Sequence, residues 1–180
     1  MEKLNTGLTN DQRAGVVETL NRVLADEHVL YIKTRNYHWN VTGPRFHDLH
    51  VFLETQYEEL AAVIDEVAEN ARMFGGFAAG SMKEFLKLAR LKENSGEVPD
   101  ENVMLQDLVE DHESLIRSLR EDVDRADDEF TAVDAADFLT SVLEKHNKMA
   151  WMLRSFLAGG KKRNLEPKIE SEKTLVGSHR

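Results

Sequence analysis

Proline is the residue that most limits what this chain can become. Only Pro44, Pro99 and Pro167 occur in 180 residues, and the long stretches between them carry few β-branched clusters. A proline inside a helix removes a hydrogen bond and clashes with the preceding turn, so a chain punctuated this sparsely has room for long helices. The first is predicted to begin near Thr9 or Asn10, because Thr9 and Gln12 have the spacing of a capping box ahead of an apolar-periodic run. Leu20, Leu24, Glu27, Tyr31 and His38 then recur at steps of three, four and seven, one stripe of a helix that ends near Tyr37 to Asn40.

Pro44 is predicted to sit in the first turn of a second helix, where its missing N–H costs nothing, and Gly75-Gly76 to end that helix after Phe74. Phe46, Leu49, Phe52, Leu53, Tyr57, Leu60, Ile64, Val67, Ala68 and Ala71 form its expected buried face. The stretch from Gly75 to Asp100 is long for a bundle turn and reads as a crossover with one short helix between Ser81 and Ala89. A third helix fits Glu101 to about Arg125, Asp127-Asp128-Glu129 reads as a link, and a fourth fits Asp134 to Leu157. The expected fold class is all-α: an up-down-down-up four-helix bundle of the ferritin-like kind with a short helix in its long middle crossover. It would occupy residues 1–158, followed by a flexible, mildly basic tail over 159–180.

Composition narrows the chemistry. There is no cysteine, which removes thiolate metal sites, iron–sulfur clusters and thiol nucleophiles, while 41% hydrophobic residues suffice for a core without disulfides. The formal net charge of −10 argues against a nucleic-acid-binding body, which needs Lys and Arg to displace counterions from phosphate. No apolar run approaches the roughly 20 residues of a membrane span, so a soluble cytoplasmic protein is expected.

The second helix carries two pairs spaced i,i+4: His50 with Glu54, and Asp65 with Glu69. All four fall along one border of its apolar face, and His38 ends the stripe of the first helix. Imidazole nitrogen with carboxylate oxygen suits Fe, Mn or Zn. Glu54 and Asp65 are eleven residues apart, about 16 Å along a helix at 1.5 Å per residue, so one metal cannot take both pairs from one chain. Two such helices antiparallel about a two-fold axis would bring Asp65 and Glu69 of one chain to His50 and Glu54 of its mate. The pattern alone leaves two readings open, a metal centre between subunits, or a hydrogen-bonded core histidine with carboxylates facing solvent.

Asn36-Tyr37-His38-Trp39-Asn40-Val41-Thr42-Gly43-Pro44-Arg45-Phe46, then Leu49-His50, then Ile64-Asp65-Glu66-Val67-Ala68-Glu69, strongly resembles the Dps proteins, the DNA-protection-during-starvation proteins or miniferritins. Trp151-Met152-Leu153 is a further family-like element, and the resemblance spans roughly Thr9 to Leu157. It implies a dodecameric shell with ferroxidase centres at its two-fold interfaces. His38, His50, Asp65 and Glu69 match the family's iron ligands, Glu54 stands where many members have Asp, and Trp39 matches a tryptophan credited with electron transfer. The other ferritin branch builds its centre inside one bundle from Glu-x-x-His motifs, and no Glu here lies three residues before a His.

The resulting expectation is an iron-storing ferroxidase that oxidises Fe(II) with hydrogen peroxide, deposits ferric mineral inside the shell and protects DNA from oxidative damage. His47 and Asp48 are expected beside His50 as supporting partners. Asp127, Asp128, Glu129, Asp134 and Asp137 are candidates for a cation-conducting pore, against a plain solvated acidic loop. His28 and His146 are read as packing or hydrogen-bonding residues, His112 as a residue of a charged helix and His179 as part of the tail. A different function would be DNA coating through the tail, where six basic residues face three acidic ones and leave a body near −13. Twelve such tails would add by multivalency but bind in a salt-sensitive way. A third would be an inert helical oligomer holding zinc.

Overall fold

The computed structural model describes residues 4–94, 96 and 98–158. The tail to which DNA contact was assigned lies outside the described residues. Five α-helices follow in order: α1 (Asn10–Asn40), α2 (Phe46–Met73), α3 (Met82–Leu88), α4 (Glu101–Asp124) and α5 (Val133–Ala158), with a π-helical turn at Arg125–Glu129. No strand occurs among the described residues. The protein is therefore all-α, four long helices with the short α3 in the middle crossover. None of the described helices is long and apolar enough to cross a membrane.

Local sequence explains most of the boundaries. The capping box at the start of α1 forms as expected, with Gln12 N donating to Thr9 Oγ1 at 3.3 Å and Thr9 N to Gln12 Oε1 at 2.8 Å. Pro44 departs from its expected place. It lies ahead of α2, in a turn closed by Phe46 N donating to Gly43 O at 3.1 Å. Arg45, at φ −99° and ψ 15°, takes the third position of a type I turn and leaves Pro44 the second, for which its fixed φ is suited. The helix thus starts after the turn that the proline helps to form. The acidic stretch read as a link instead winds on as the π turn, with Phe130 N reaching Arg125 O at 3.1 Å.

Arg45 also fixes the topology. Its guanidinium donates to Glu101 Oε1 (2.8 Å), Asn102 Oδ1 (2.8 Å) and the Phe156 carbonyl (3.2 Å). The α1–α2 turn, the start of α4 and the end of α5 therefore share one end of the bundle. At the other end Arg13 Nη1 donates to the Phe74 carbonyl at 3.2 Å, and Gln12 Nε2 to Thr131 Oγ1 at 2.8 Å. Helices α1 and α5 run one way, α2 and α4 the other, which is the up-down-down-up order.

Leu20, Leu24, Leu60, Val63, Leu119 and Val142 are among the buried core residues that the four helices share. Helix α2 departs from the expected buried face: Val63 and Gln56 are buried as well, Tyr57, Ile64 and Ala68 are only half-buried, and Phe46 is 46% exposed because it opens the helix beyond the packed interior. Gly76 and Gly15 permit close approaches, since a Cβ would lie 2.3 Å from the Val17 side chain at the first and 2.4 Å from the Phe130 ring at the second.

Candidate metal centre

His38 occupies the last turn of α1, where backbone carbonyls lack helical partners, and the short turn over 41–45 folds α2 back so that His50 lies alongside. The two rings stack at 3.8 Å between centroids. Each then bonds the other's backbone: His38 Nδ1 to the His50 carbonyl at 2.8 Å, and His50 Nδ1 to the His38 carbonyl at 2.9 Å. A carbonyl oxygen can only accept, so both Nδ1 atoms carry a proton, and in the neutral tautomer that this leaves open the lone pair is on Nε2, which makes no hydrogen bond among the described residues. This arrangement of an N–H tied to a carbonyl with the second nitrogen bare is how metal-ligating histidines are oriented. His47 and Asp48 are exposed and make no hydrogen bond to His50 among the described residues, so the supporting partners are the two carbonyls, not these side chains.

Glu54, half-buried one turn beyond His50, accepts a hydrogen bond at 3.2 Å from the Tyr57 hydroxyl. The Tyr57 ring meets His38 edge-on at 5.2 Å and Tyr31 at 6.2 Å. Burial, followed by the Glu54 charge, raises Tyr57 above the ordinary tyrosine value and keeps its hydroxyl a donor. Arg35 lies among Tyr31, Trp39 and Tyr57, with its guanidinium carbon 5.0 to 5.5 Å from the three ring centroids, and donates to Tyr31 Oη at 2.7 Å. Trp39 remains 62% exposed.

The chain brings His38, His50 and Glu54 into one neighbourhood and leaves Asp65 and Glu69 exposed farther along α2. Among the described residues no three His, Cys, Asp or Glu side chains converge as a metal would require. Asp127, Asp128 and Asp137, with Asp124, line a cavity of about 490 Å³; Glu129 and Asp134 do not, and Glu129 is paired with Arg125 at 3.1 Å.

The sequence did not foresee how α1, α4 and α5 meet in the interior. Glu27 Oε1 lies 2.7 Å from His146 Nε2, and His146 Nδ1 lies 2.9 Å from His112 Nδ1, all three residues being at most 1% exposed. Glu27 Oε2 and His112 Nε2, at the two ends, have no hydrogen-bond partner among the described residues. Burial and then the neighbouring His146 hold His112 well below the ordinary histidine value. The chain is linear: Glu27 and His112 occupy opposite edges of the His146 ring and do not share a focus. Glu27 lay on the apolar stripe of α1, and a carboxylate on such a stripe was the available signal that a buried partner waited elsewhere.

Residues 17–162 match the family model of the ferritin-like domain. An uncharacterized low temperature-induced protein of Nostoc sp. is 52% identical over 159 residues, 88% of this chain and 89% of that protein. DNA protection during starvation protein 2 of Bacillus anthracis is 38% identical over 146 residues, 79% of this chain and 96% of its own length. The crystal structure of a Dps protein from Vibrio cholerae O1, described as a member of a broad superfamily of ferritin-like diiron-carboxylate proteins, superposes with a TM-score of 0.79 at 29% identity, covering 87% of this chain and 98% of that one.

Proposed function

Because the chain belongs to the Dps family of ferritin-like proteins, we propose that it is an iron-storing ferroxidase whose centres are shared between subunits. The observation that carries this reading is the His38–His50 pair, two stacked imidazoles that each tie Nδ1 to the other's carbonyl, with Glu54 one turn farther along α2. Two nitrogens and an oxygen form a donor set suited to Fe(II), but three donors from one chain leave the coordination short of carboxylate charge. Asp65 and Glu69, exposed on the same helix, supply it from a second copy packed antiparallel. A dodecameric shell repeats that contact and encloses the mineral.

Fe(II) is the substrate. Each of two Fe(II) ions gives up one electron, and hydrogen peroxide takes both as its O–O bond breaks to yield two hydroxide ions. The carboxylates favour the Fe(III) product electrostatically, and consuming Fe(II) together with peroxide suppresses hydroxyl-radical formation and so protects DNA. Asp124, Asp127, Asp128 and Asp137 attract the incoming cation, and Trp39 takes part in electron transfer near the centre.

Stopped-flow Fe(II) oxidation tests the site: the double change His50→Ala, Asp65→Ala should abolish peroxide-dependent oxidation, and an unchanged rate refutes the assignment. Light scattering tests the assembly, because a monomer cannot complete the centre.

A further inference from the structure

Glutamate at position 54 poses a mechanical problem. Its side chain has three rotatable bonds, and freezing such a chain costs conformational entropy. A ligand this mobile would present its carboxylate over a range of positions beside two imidazoles that are themselves locked by backbone hydrogen bonds. The residue that removes this freedom is Tyr57, three positions on along α2.

We propose that Tyr57 is the positioning residue of this half-site: its hydroxyl holds one oxygen of Glu54 and leaves the other to meet the metal. The hydroxyl donates to Glu54 Oε1 at 3.2 Å. The ring that carries it is fixed by three neighbours. His38 meets it at 5.2 Å and 76°, Tyr31 at 6.2 Å and 85°, and the Arg35 guanidinium lies 5.3 Å from its centroid. Arg35 is in turn tied to Tyr31 Oη at 2.7 Å and lies against Trp39. One rigid aromatic group therefore touches both a nitrogen ligand and the carboxylate ligand and relates their positions before any ion arrives. With one lone pair of Oε1 engaged by the hydroxyl, Glu54 has its carboxylate oriented and Oε2 left for the ion.

This inference rests on the metal-centre reading above, and the test separates the two. Anaerobic titration of the assembled protein with Co(II), read by calorimetry and by the visible ligand-field bands, is done for the unaltered chain, Tyr57→Phe, Glu54→Ala, the Tyr57→Phe, Glu54→Ala pair, and His50→Ala. Phenylalanine keeps the ring and its packing and removes only the hydroxyl. Loss of a group that orients a ligand typically weakens metal binding about 10- to 100-fold, so Tyr57→Phe should raise the Co(II) Kd by that factor and alter the bands. In the Glu54→Ala background the same change should do nothing further. Equal affinity and spectra for Tyr57→Phe and the unaltered chain overturn the positioning role alone, as does an equal loss with and without Glu54. Co(II) binding that ignores His50→Ala overturns the metal-centre reading and this inference with it.

Discussion

Two pairs of histidines on this chain face each other across helices, and they are built to opposite ends. His38 and His50 stack and spend their Nδ1 protons on each other's carbonyls, which leaves Nε2 of each ring bare at the edge of the bundle. His112 and His146 meet Nδ1 to Nδ1 in the interior, with His146 Nε2 on Glu27. The outer pair satisfies its Nδ1 protons with backbone and leaves its Nε2 atoms without a hydrogen-bond partner among the described residues. The inner pair uses a ring nitrogen of each to satisfy the other, so its polarity is turned inward and serves to join α1, α4 and α5. Residue type does not separate the two pairs; what separates them is the partner of Nδ1, a backbone carbonyl in one and a second imidazole in the other.

The largest expected effect breaks the inner pair. His146→Ala strands the Glu27 carboxylate without its nitrogen partner and His112 Nδ1 without its own, both at most 1% exposed. Leaving a buried polar group without its hydrogen-bond partner costs about 1–3 kcal/mol each, and two are stranded here, which urea unfolding at fixed protein concentration should report as a lower midpoint. Co(II) affinity should stay unchanged. Replacing all three residues with apolar ones of similar volume should restore stability, since such networks are often matched by a packed hydrophobic core.

The second effect breaks the outer pair. His50→Ala removes an Nε2 donor and the group that satisfies the His38 carbonyl, yet His50 lies near the surface of the single chain. Losing a ligand should cost Co(II) affinity at least about 100-fold, the upper end of what losing its supporting partner costs, and only a small part of the stability lost in His146→Ala. If the two variants exchange phenotypes, with His50→Ala unfolding the protein and His146→Ala abolishing metal binding, the distinction between the pairs is wrong.

A third effect is a pH dependence that belongs to the inner pair. His112 is held below its ordinary 6.5 by burial and by His146. Its folded value is depressed, so the unfolded chain binds the extra proton first. The stability this group contributes is fully present above about pH 6.5 and is lost as pH falls toward the folded value, at no more than about 1.4 kcal/mol per pH unit for one proton. His112→Phe should flatten that part of the urea-midpoint profile, while Glu27 and His146, the groups facing it from α1 and α5, remain.

The same contrast sets what could be read from the sequence. The outer pair is local: His38 and His50 are twelve residues apart across one turn, and the i,i+4 and His-Trp-Asn spacings carry it. The start of α1 was legible for the same reason, because Thr9 and Gln12 form their box without help from the rest of the fold. Pro44 was misplaced by a turn residue, since both a first helical turn and the second position of a type I turn accept its φ, and only the Gly43–Phe46 hydrogen bond decides between them. The inner group was not legible. Glu27 and His146 are 119 residues apart, and no periodicity within α1 or α5 says which helix faces which. Tyr57 was counted as core because its spacing fits the buried face, and spacing is blind to the hydroxyl at its tip. The half of the proposed centre assigned to Asp65 and Glu69 would come from a second copy, and neither one sequence nor one folded chain can bring that contact into view.

The smallest effect asks what holds the outer pair together. Phe46 stacks on His50 at 5.2 Å and is 46% exposed, so it packs the ring from its solvent side without belonging to the core. Aromatic pairs contribute about 0.5–1.5 kcal/mol beyond burial, and a half-exposed one belongs at the lower end. If the reciprocal carbonyl bonds orient His38 and His50, Phe46→Ala should weaken Co(II) binding by less than about 10-fold, the lower limit for removing an orienting partner, and leave the ligand-field bands in place. A loss as large as that of His50→Ala would mean that stacking, not the backbone, aims the Nε2 atoms. The contrast drawn from the Nδ1 partners would then have to be rebuilt on ring packing.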